Sequence, residues 1–528
     1  MSSSNLLIQM EHFDCVVLGG GHNGLTSASY LSKSGKKVLV LEALDEVGGA
    51  AVSVQAFKGM DANLSRYSYL VSLMPQQIID ELDLKLDLIS RSIGSYTPTK
   101  ENVGLLIERI PSEKTKESFL KLTGNTKDYD TWINFYGKVE KVAQVLAPTL
   151  LERLKSKEEI KALIVSATDI ETYEMLFERP ITKTIENLFE NDVVRGVVLT
   201  DALIGTFTDG RDKDLLGNIC FLYHLIGNGS GEWKVPLGGM GQVSKALKEK
   251  ALQYFAQIRT NSRVIKVSSD GQTARIHYLD QQNIEQTVEA SFVLSNLAPH
   301  VLEKLLGKKT IDFIEGCQVK MNMLLTHLPR LKSGDDPKDA FKGTFHVNES
   351  LSQLDKSFQE ASNGKLPELL PSEIYCHTLS DPSILGKELQ EKGYQTITLF
   401  GLNTPAKLFD DNNVNLREIV KQKYLEGLNM FFAEKIEDCL ALDIDDNPCI
   451  EVKTPLDIEE SVFLPRGNIF HKPLQWPFAE NSEEINTWGV ETDTQNIFIC
   501  GAGAKRGGGV SGIPGRNAAM KVLEITSK

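Results

Sequence analysis

No two of the seven cysteines in this 528-residue chain stand close together, and no C-x-x-C occurs. That excludes a zinc ribbon, and no metal site is expected. It also leaves no redox-active dithiol, so thioredoxin-reductase-type chemistry is not expected. Positive charge is in short supply: 57 Lys and Arg face 71 Asp and Glu, a formal net charge of −14. Such a chain offers no basic field for nucleic acid. Missing too is any run of about 20 apolar residues, so nothing is expected to span a membrane. The opening MSSSNLLIQM has no Arg or Lys and lacks the charged start and long apolar core of a secretory signal. An odd, dispersed set of cysteines suits a reducing compartment. The expectation is therefore the cytoplasm or an organelle matrix, not secretion. Peripheral membrane contact and the oligomeric state stay open. Internal repeats and low-complexity tracts are absent as well.

What is there begins with an ordinary globular composition, 41% hydrophobic and 24% charged. The length is too great for one core and predicts two or three domains. The most informative stretch is Cys15 to Ala51, CVVLGGGHNGLTSASYLSKSGKKVLVLEALDEVGGAA. Cys15-Val16-Val17-Leu18 has the length and β-branched content of a buried parallel strand. It stops at G-x-G-x-x-G, with Gly19, Gly21 and Gly24 in the glycine places and His22 and Asn23 between them. Gly19 permits a tight turn, Gly21 lets backbone approach a pyrophosphate, and Gly24 lets the next helix pack closely on the strand. That helix is predicted from about Asn23 to Ser34, with Gly35 at its C-terminus. A second strand, Val38–Leu41, ends in Glu42, about 20 residues beyond the glycines. A carboxylate there can accept hydrogen bonds from both hydroxyls of an adenosine ribose and would repel a 2′-phosphate. Ala43 follows, and then Gly48-Gly49-Ala50-Ala51. The glycine motif, terminal acid and second glycine pair together resemble the FAD-binding N-terminus of glutathione-reductase-like flavoproteins. The resemblance makes FAD the expected cofactor, held in an α/β, Rossmann-type domain.

Residues 57–75 are aromatic and serine-rich, and continue directly from this unit. They either line the inner side of the site or form a buried connection. From 76 to 230 the pattern is predicted to be a largely helical cap, in which Tyr223 and His224 lie among Leu and Ile. The nucleotide domain is expected to comprise 1–75, 231–310 and 456–528. Within it, Val264 lies in a strand-like run expected beside the adenine, and Asn296 closes the strand before VLSNLAP ends. Residues 311–455 read as a substrate domain with a mixed sheet, giving a mixed α+β domain beside the cap. The tail has a last buried strand, 497–500, then GAGAKRGGGVSGIPGRNAA. Gly501, Ala502, Gly503, Gly508, Gly509, Val510, Gly512 and Ile513 are expected to bring backbone and a helix N-terminus to the flavin or its pyrophosphate.

These segments, with PLGGMGQVSKAL and GNIFH, resemble the phytoene-desaturase-related FAD oxidoreductases over most of the chain. Within that group they are most similar to the branch named for a pyridine nucleotide-disulfide oxidoreductase domain, a name the missing dithiol does not support. The resemblance implies a discontinuous FAD domain, a sheet roofing the flavin, and a lipophilic substrate, polyene or isoprenoid. Two departures stand out: Lys505-Arg506 replaces the His-Pro frequent in relatives, and the segment after His471 is compressed. Lys505, Arg506 and His471 are the candidate catalytic residues, as positive charge beside the flavin would stabilise its reduced anion. The expected function is FAD-dependent hydride transfer to or from flavin N5. A non-redox, FAD-dependent polyene isomerase and a non-catalytic lipid- or protein-binding protein are the alternatives. Intact Glu42 and Gly48-Gly49 argue against the last.

Overall fold

The structure, a computed structural model, describes residues 10–310 and 315–527. Most of the opening segment MSSSNLLIQM, read above for a secretory signal, therefore lies outside the described residues. Among the described residues no helix is long and apolar enough to cross a membrane.

Two seven-stranded sheets dominate. In the first, Glu11–Leu18 is flanked by Val38–Leu41 and Glu285–Ser295, both parallel to it. The four residues Cys15 to Leu18 and their neighbours Val38 to Leu41 are at most 1% exposed. Burial on both faces explains why these strands read as continuous apolar runs rather than alternating ones. Gln257–Arg259 extends the sheet beyond Val38–Leu41. The strand Glu285–Ser295 is long enough to serve two neighbours on its other side. Its first half pairs antiparallel with Ala274–Leu279, and its end pairs parallel with Ile497–Ile499. One face of the sheet carries helices that interlock through serines. Ser29 of His22–Lys33 donates to Leu247 O in Gly241–Gln253 at 3.1 Å, and Ser27 donates to Gly515 O in Ile513–Thr526 at 2.8 Å.

The second sheet runs in the order Ile450–Lys453, Val319–Leu325, Gln395–Gly401, Ser372–Tyr375, Thr344–Val347, Ile93–Pro98, Gly104–Glu108. Its last two strands come from within 76–230, the region expected to be a largely helical cap, whereas the sheet domain was expected to begin at 311. Ile93–Pro98 and Gly104–Glu108 form a hairpin that joins the sheet through parallel pairing of Ser95 and Tyr96 with Thr344 and Phe345. Ser95 and Thr97 are buried polar residues in a six-residue strand. No local apolar period marks such a strand; only pairing across some 250 residues of chain makes it one. Apart from the short strand Leu88–Ile89 and the non-helical segment 201–215, the remainder of that region is mostly helical, with side-chain N-caps at Ser156, Asp169 and Asn191.

Candidate flavin site

The carboxyl ends of the first sheet's parallel strands and the inner face of the second sheet enclose a cavity of about 510 Å³. A crevice at that end of an open α/β sheet is where such folds bind ligands. At its nucleotide end lie Gly19, Gly21, His22, Asn23, Glu42, Ala43, Val264 and Asn296, with Gly49 and Ala50 beside them. From the tail come Ala502, Gly509 and Val510, and from the preceding loop His471.

The other predicted residues stand behind this lining and shape it. A Cβ on Gly24 would lie 2.3 Å from Gly19 O, so helix His22–Lys33 can sit this close to its strand only with glycine there. Gly48, at φ +135, donates to Gly20 O at 2.9 Å, and the next turn closes as Ala51 N donates to Gly48 O at 3.0 Å. A Cβ on Gly501 would meet Asn296 O, and one on Gly503 the Pro299 ring. Gly508 packs under Phe470 and Leu474. Gly512 N donates to Asn23 Oδ1 at 3.0 Å, which locks the start of Ile513–Thr526, with Ile513 buried, to the start of His22–Lys33. Two helix N-termini thus converge on one wall, a ready anion cradle.

Glu42 is buried and held from two sides: Oε2 accepts from Gly20 N at 2.7 Å and Oε1 from Leu44 N at 2.9 Å. Burial pushes its pKa up against the pull of these donors. Fixed in this way, Glu42 borders the cavity where a ribose would need it. The glycine cradle, converging helices and oriented acid fit FAD. Glu42→Gln keeps the shape but weakens charge-assisted bonds, and is expected to lower FAD affinity about tenfold to a hundredfold. Equilibrium titration of the apoprotein measures this; unchanged affinity would place the ribose elsewhere.

The structure overturns the role expected of Lys505 and Arg506. Neither lines the cavity. Lys505 Nζ pairs with Glu480 at 2.9 Å and with Glu484. Arg506, 1% exposed, donates to the carbonyls of Thr149 at 3.0 Å, Trp488 at 2.6 Å and Glu152. Their backbone follows a flavin-side strand, but Arg506 sits at φ +63, and both side chains turn toward the helical cap and the 480–488 segment. Arg506→Met is expected to cost about 3 kcal/mol or more in stability, since it leaves three carbonyls without their charged donor. The flavin spectrum and midpoint potential should not move; a shifted potential would return the guanidinium to the site.

His471 does line the cavity, but burial pushes its pKa down to about 4, with His22 and His300 adding to the effect. It is neutral at pH 7 and supplies no charge to a reduced flavin. Its Nδ1 is buried without a hydrogen-bond partner. His22 is likewise pushed down to about 4, with Nε2 3.2 Å from Gly509 O. Tyr223 and His224 also reach the cavity, yet both have structural partners: Tyr223 donates to Gln475 O at 3.0 Å, and His224 stacks on Trp233.

Sequence reasoning missed Lys320. It is 1% exposed, lines the cavity from the second sheet, and its Nζ has no hydrogen-bond partner. The amine lies 4.9 Å from the centre of the Tyr69 ring. Burial drives its pKa well below the usual lysine value. The available signal was one charged residue inside the strand VKMNMLL.

The geometry agrees with the chain's likenesses. Residues 24–321, more than half of the chain, match the family described as flavin containing amine oxidoreductase. An uncharacterised protein of Mycobacterium tuberculosis is 45% identical over 97% of both chains. Mouse pyridine nucleotide-disulfide oxidoreductase domain-containing protein 2 is 28% identical, covering 97% of this chain and 93% of its own. Among solved structures, cyclohexylamine oxidase from Brevibacterium oxydans has a TM-score of 0.58 at 12% identity, covering 98% of this chain and 100% of its own. The fold is therefore the mixed α/β, FAD-binding fold of the flavin amine oxidases. The glutathione-reductase-like expectation holds at the level both share, an FAD-binding Rossmann-type sheet. With FAD as its cofactor, the chain belongs to the flavin-containing amine oxidoreductase family and is an FAD-dependent oxidoreductase.

Proposed function

We propose that this oxidoreductase acts as a dehydrogenase or desaturase on a lipophilic, polyene- or isoprenoid-like substrate. The observation that carries the reading is the distribution of charge around the cavity. Its only acidic lining residues among those described are Glu42, at the nucleotide end, and Glu459, four residues before Phe463, whose ring the Arg263 guanidinium covers. Where the second sheet closes the cavity, the wall is Leu73, Tyr69, Ile204, Phe400 and Phe470, with Lys320 the one ionisable amine. An ammonium substrate would find no carboxylate to pair with there, whereas an apolar chain loses nothing by entering. Bound FAD supplies a hydride acceptor at N5. The chain's part is to exclude water, orient the substrate against the aromatic wall, and take up at Lys320 Nζ the proton that leaves with the hydride. A lipophilic substrate of this kind also fits peripheral contact with a membrane surface.

Anaerobic mixing tests the reading. A carotenoid precursor or isoprenoid delivered in detergent should bleach the flavin absorbance, and cyclohexylamine should not. Bleaching by the amine alone would overturn the lipophilic reading. Isomerised polyene with the flavin still oxidised would favour the isomerase.

A further inference from the structure

Behind the cavity's aromatic wall the second sheet buries a histidine and two glutamates together. His346 in Thr344–Val347 stands directly opposite Glu373 in Ser372–Tyr375. Glu349 follows a left-handed turn at Asn348 and precedes the N-cap of Leu351–Ser362. One ligand atom from each lies within 4.8 Å of the others, and all three residues are buried. His346 Nδ1 is 2.5 Å from Glu349 Oε2, which also accepts from Thr200 Oγ1 at 2.8 Å. Tyr375 donates its hydroxyl to Glu373 Oε2. The remaining oxygen of Glu349, Oε1, is enclosed and has no hydrogen-bond partner.

That orphaned oxygen is the telling atom. A buried carboxylate oxygen left without a donor is costly, and here two carboxylates face one imidazole. A cation answers both problems at once. We propose that His346, Glu349 and Glu373 bind a divalent metal ion of the zinc or manganese class, through Nδ1 and the two carboxylates. One nitrogen and two carboxylate oxygens form a donor set for such ions, and ligation at about 2.0–2.2 Å brings tetrahedral ligand atoms to about 3.4 Å apart. The hydroxyls of Thr200 and Tyr375 already hold the carboxylates from outside, as second partners of metal ligands do. The location gives the ion a task. Thr200 ends the cap helix Asp192–Thr200, and Tyr375 packs at 4.4 Å on Tyr69, which lines the cavity. The ion would brace the cap and the aromatic wall against one sheet. A second cluster, His327, Glu434 and Cys439, is partly exposed, and Arg330 already donates to Glu434 at 3.2 Å. It serves as the control.

Because the site is enclosed, the ion must enter as the chain folds. The FAD-loaded protein is produced in zinc- or manganese-supplemented medium, dialysed against chelator, and its metal measured by mass spectrometry. About one ion per chain is expected in the wild type and in Glu434→Gln. Glu349→Gln and His346→Gln should hold about tenfold less or lower, with Glu373→Gln as substitute should either fail to fold. FAD content reports folding in each case. A wild type that is metal-free with normal FAD content would overturn the proposal and leave a buried His–Glu ion pair. Variants that retain wild-type loading would overturn it equally.

Discussion

Gly24→Ala is expected to emerge from purification without colour. Two opposing effects meet at this position. Alanine in a helix interior gains about 1 kcal/mol over glycine. Against that, the new methyl would lie 2.3 Å from Gly19 O and 3.2 Å from Val17 Cγ1. Gly19 O belongs to the tight turn at φ +90 and cannot swing aside as a side chain would. Relief requires helix His22–Lys33 to move off its strand, carrying its N-terminus away from the pyrophosphate. Overpacking alone costs about 1–3 kcal/mol, and a displaced helix N-terminus removes the anion cradle as well. FAD affinity should fall more than about a hundredfold. Gly137 provides the contrast: it lies within helix Lys127–Leu146, and a Cβ there would meet nothing within 4 Å. Gly137→Ala should therefore be stabilised by about 0.4–1 kcal/mol and stay yellow. Normal FAD content in Gly24→Ala would show that helix and strand are not as close as described.

Lys320→Met should produce a more stable and much slower enzyme. If Nζ takes up the leaving proton, flavin reduction by substrate should slow about 10²–10⁴-fold, measured by stopped flow with FAD saturating. Stability should move the other way, because methionine fills the space of an enclosed, unpartnered amine without its desolvation cost. The pH dependence follows from the lowered pKa. Between the native-state value and the usual 10.5, the unfolded chain binds a proton that the folded chain does not. Wild-type stability therefore rises with pH across this window. The advantage of Lys320→Met should be greatest at the low-pH end of this window and fade as pH approaches 10.5. An unchanged reduction rate would remove Lys320 from the chemistry. A lower melting temperature at neutral pH would mean that the amine is paired when FAD is bound.

The parts of this molecule legible in its sequence are those whose chemistry is local. Gly19, Gly21, Gly24 and Glu42 lie within one strand–helix–strand unit, so spacing alone carries the geometry, and the structure holds Glu42 between Gly20 N and Leu44 N as an oriented acid. The tail glycines were legible because each marks a close backbone approach. Side-chain direction was not. Lys505 and Arg506 follow the same backbone but turn to Glu480, Glu484 and the carbonyl of Thr149, groups far away in sequence or compositionally bland. The hairpin Ile93–Pro98 and Gly104–Glu108 escaped for a similar reason: its pairing partner, Thr344–Val347, comes much later in the chain. Lys320 escaped because a single charge in a strand looks the same from sequence whether it snorkels to water or is sealed beside a cavity.

The nucleotide sheet draws on residues 11–41, 257–295 and 497–499. On the ribosome these pieces appear far apart in time. At about 5–20 residues per second, about 20–90 s separate the strand Val38–Leu41 from Ile497–Ile499. Through that interval the glycine turn exists, but helix Ile513–Thr526, whose N-terminus locks onto Asn23, does not. Nascent chains therefore carry half a cradle and an uncovered sheet edge, the kind of surface that chaperones hold and misassembly exploits. Flavin capture must wait for that helix, so the free FAD concentration after its synthesis, rather than before it, sets how much of the protein matures.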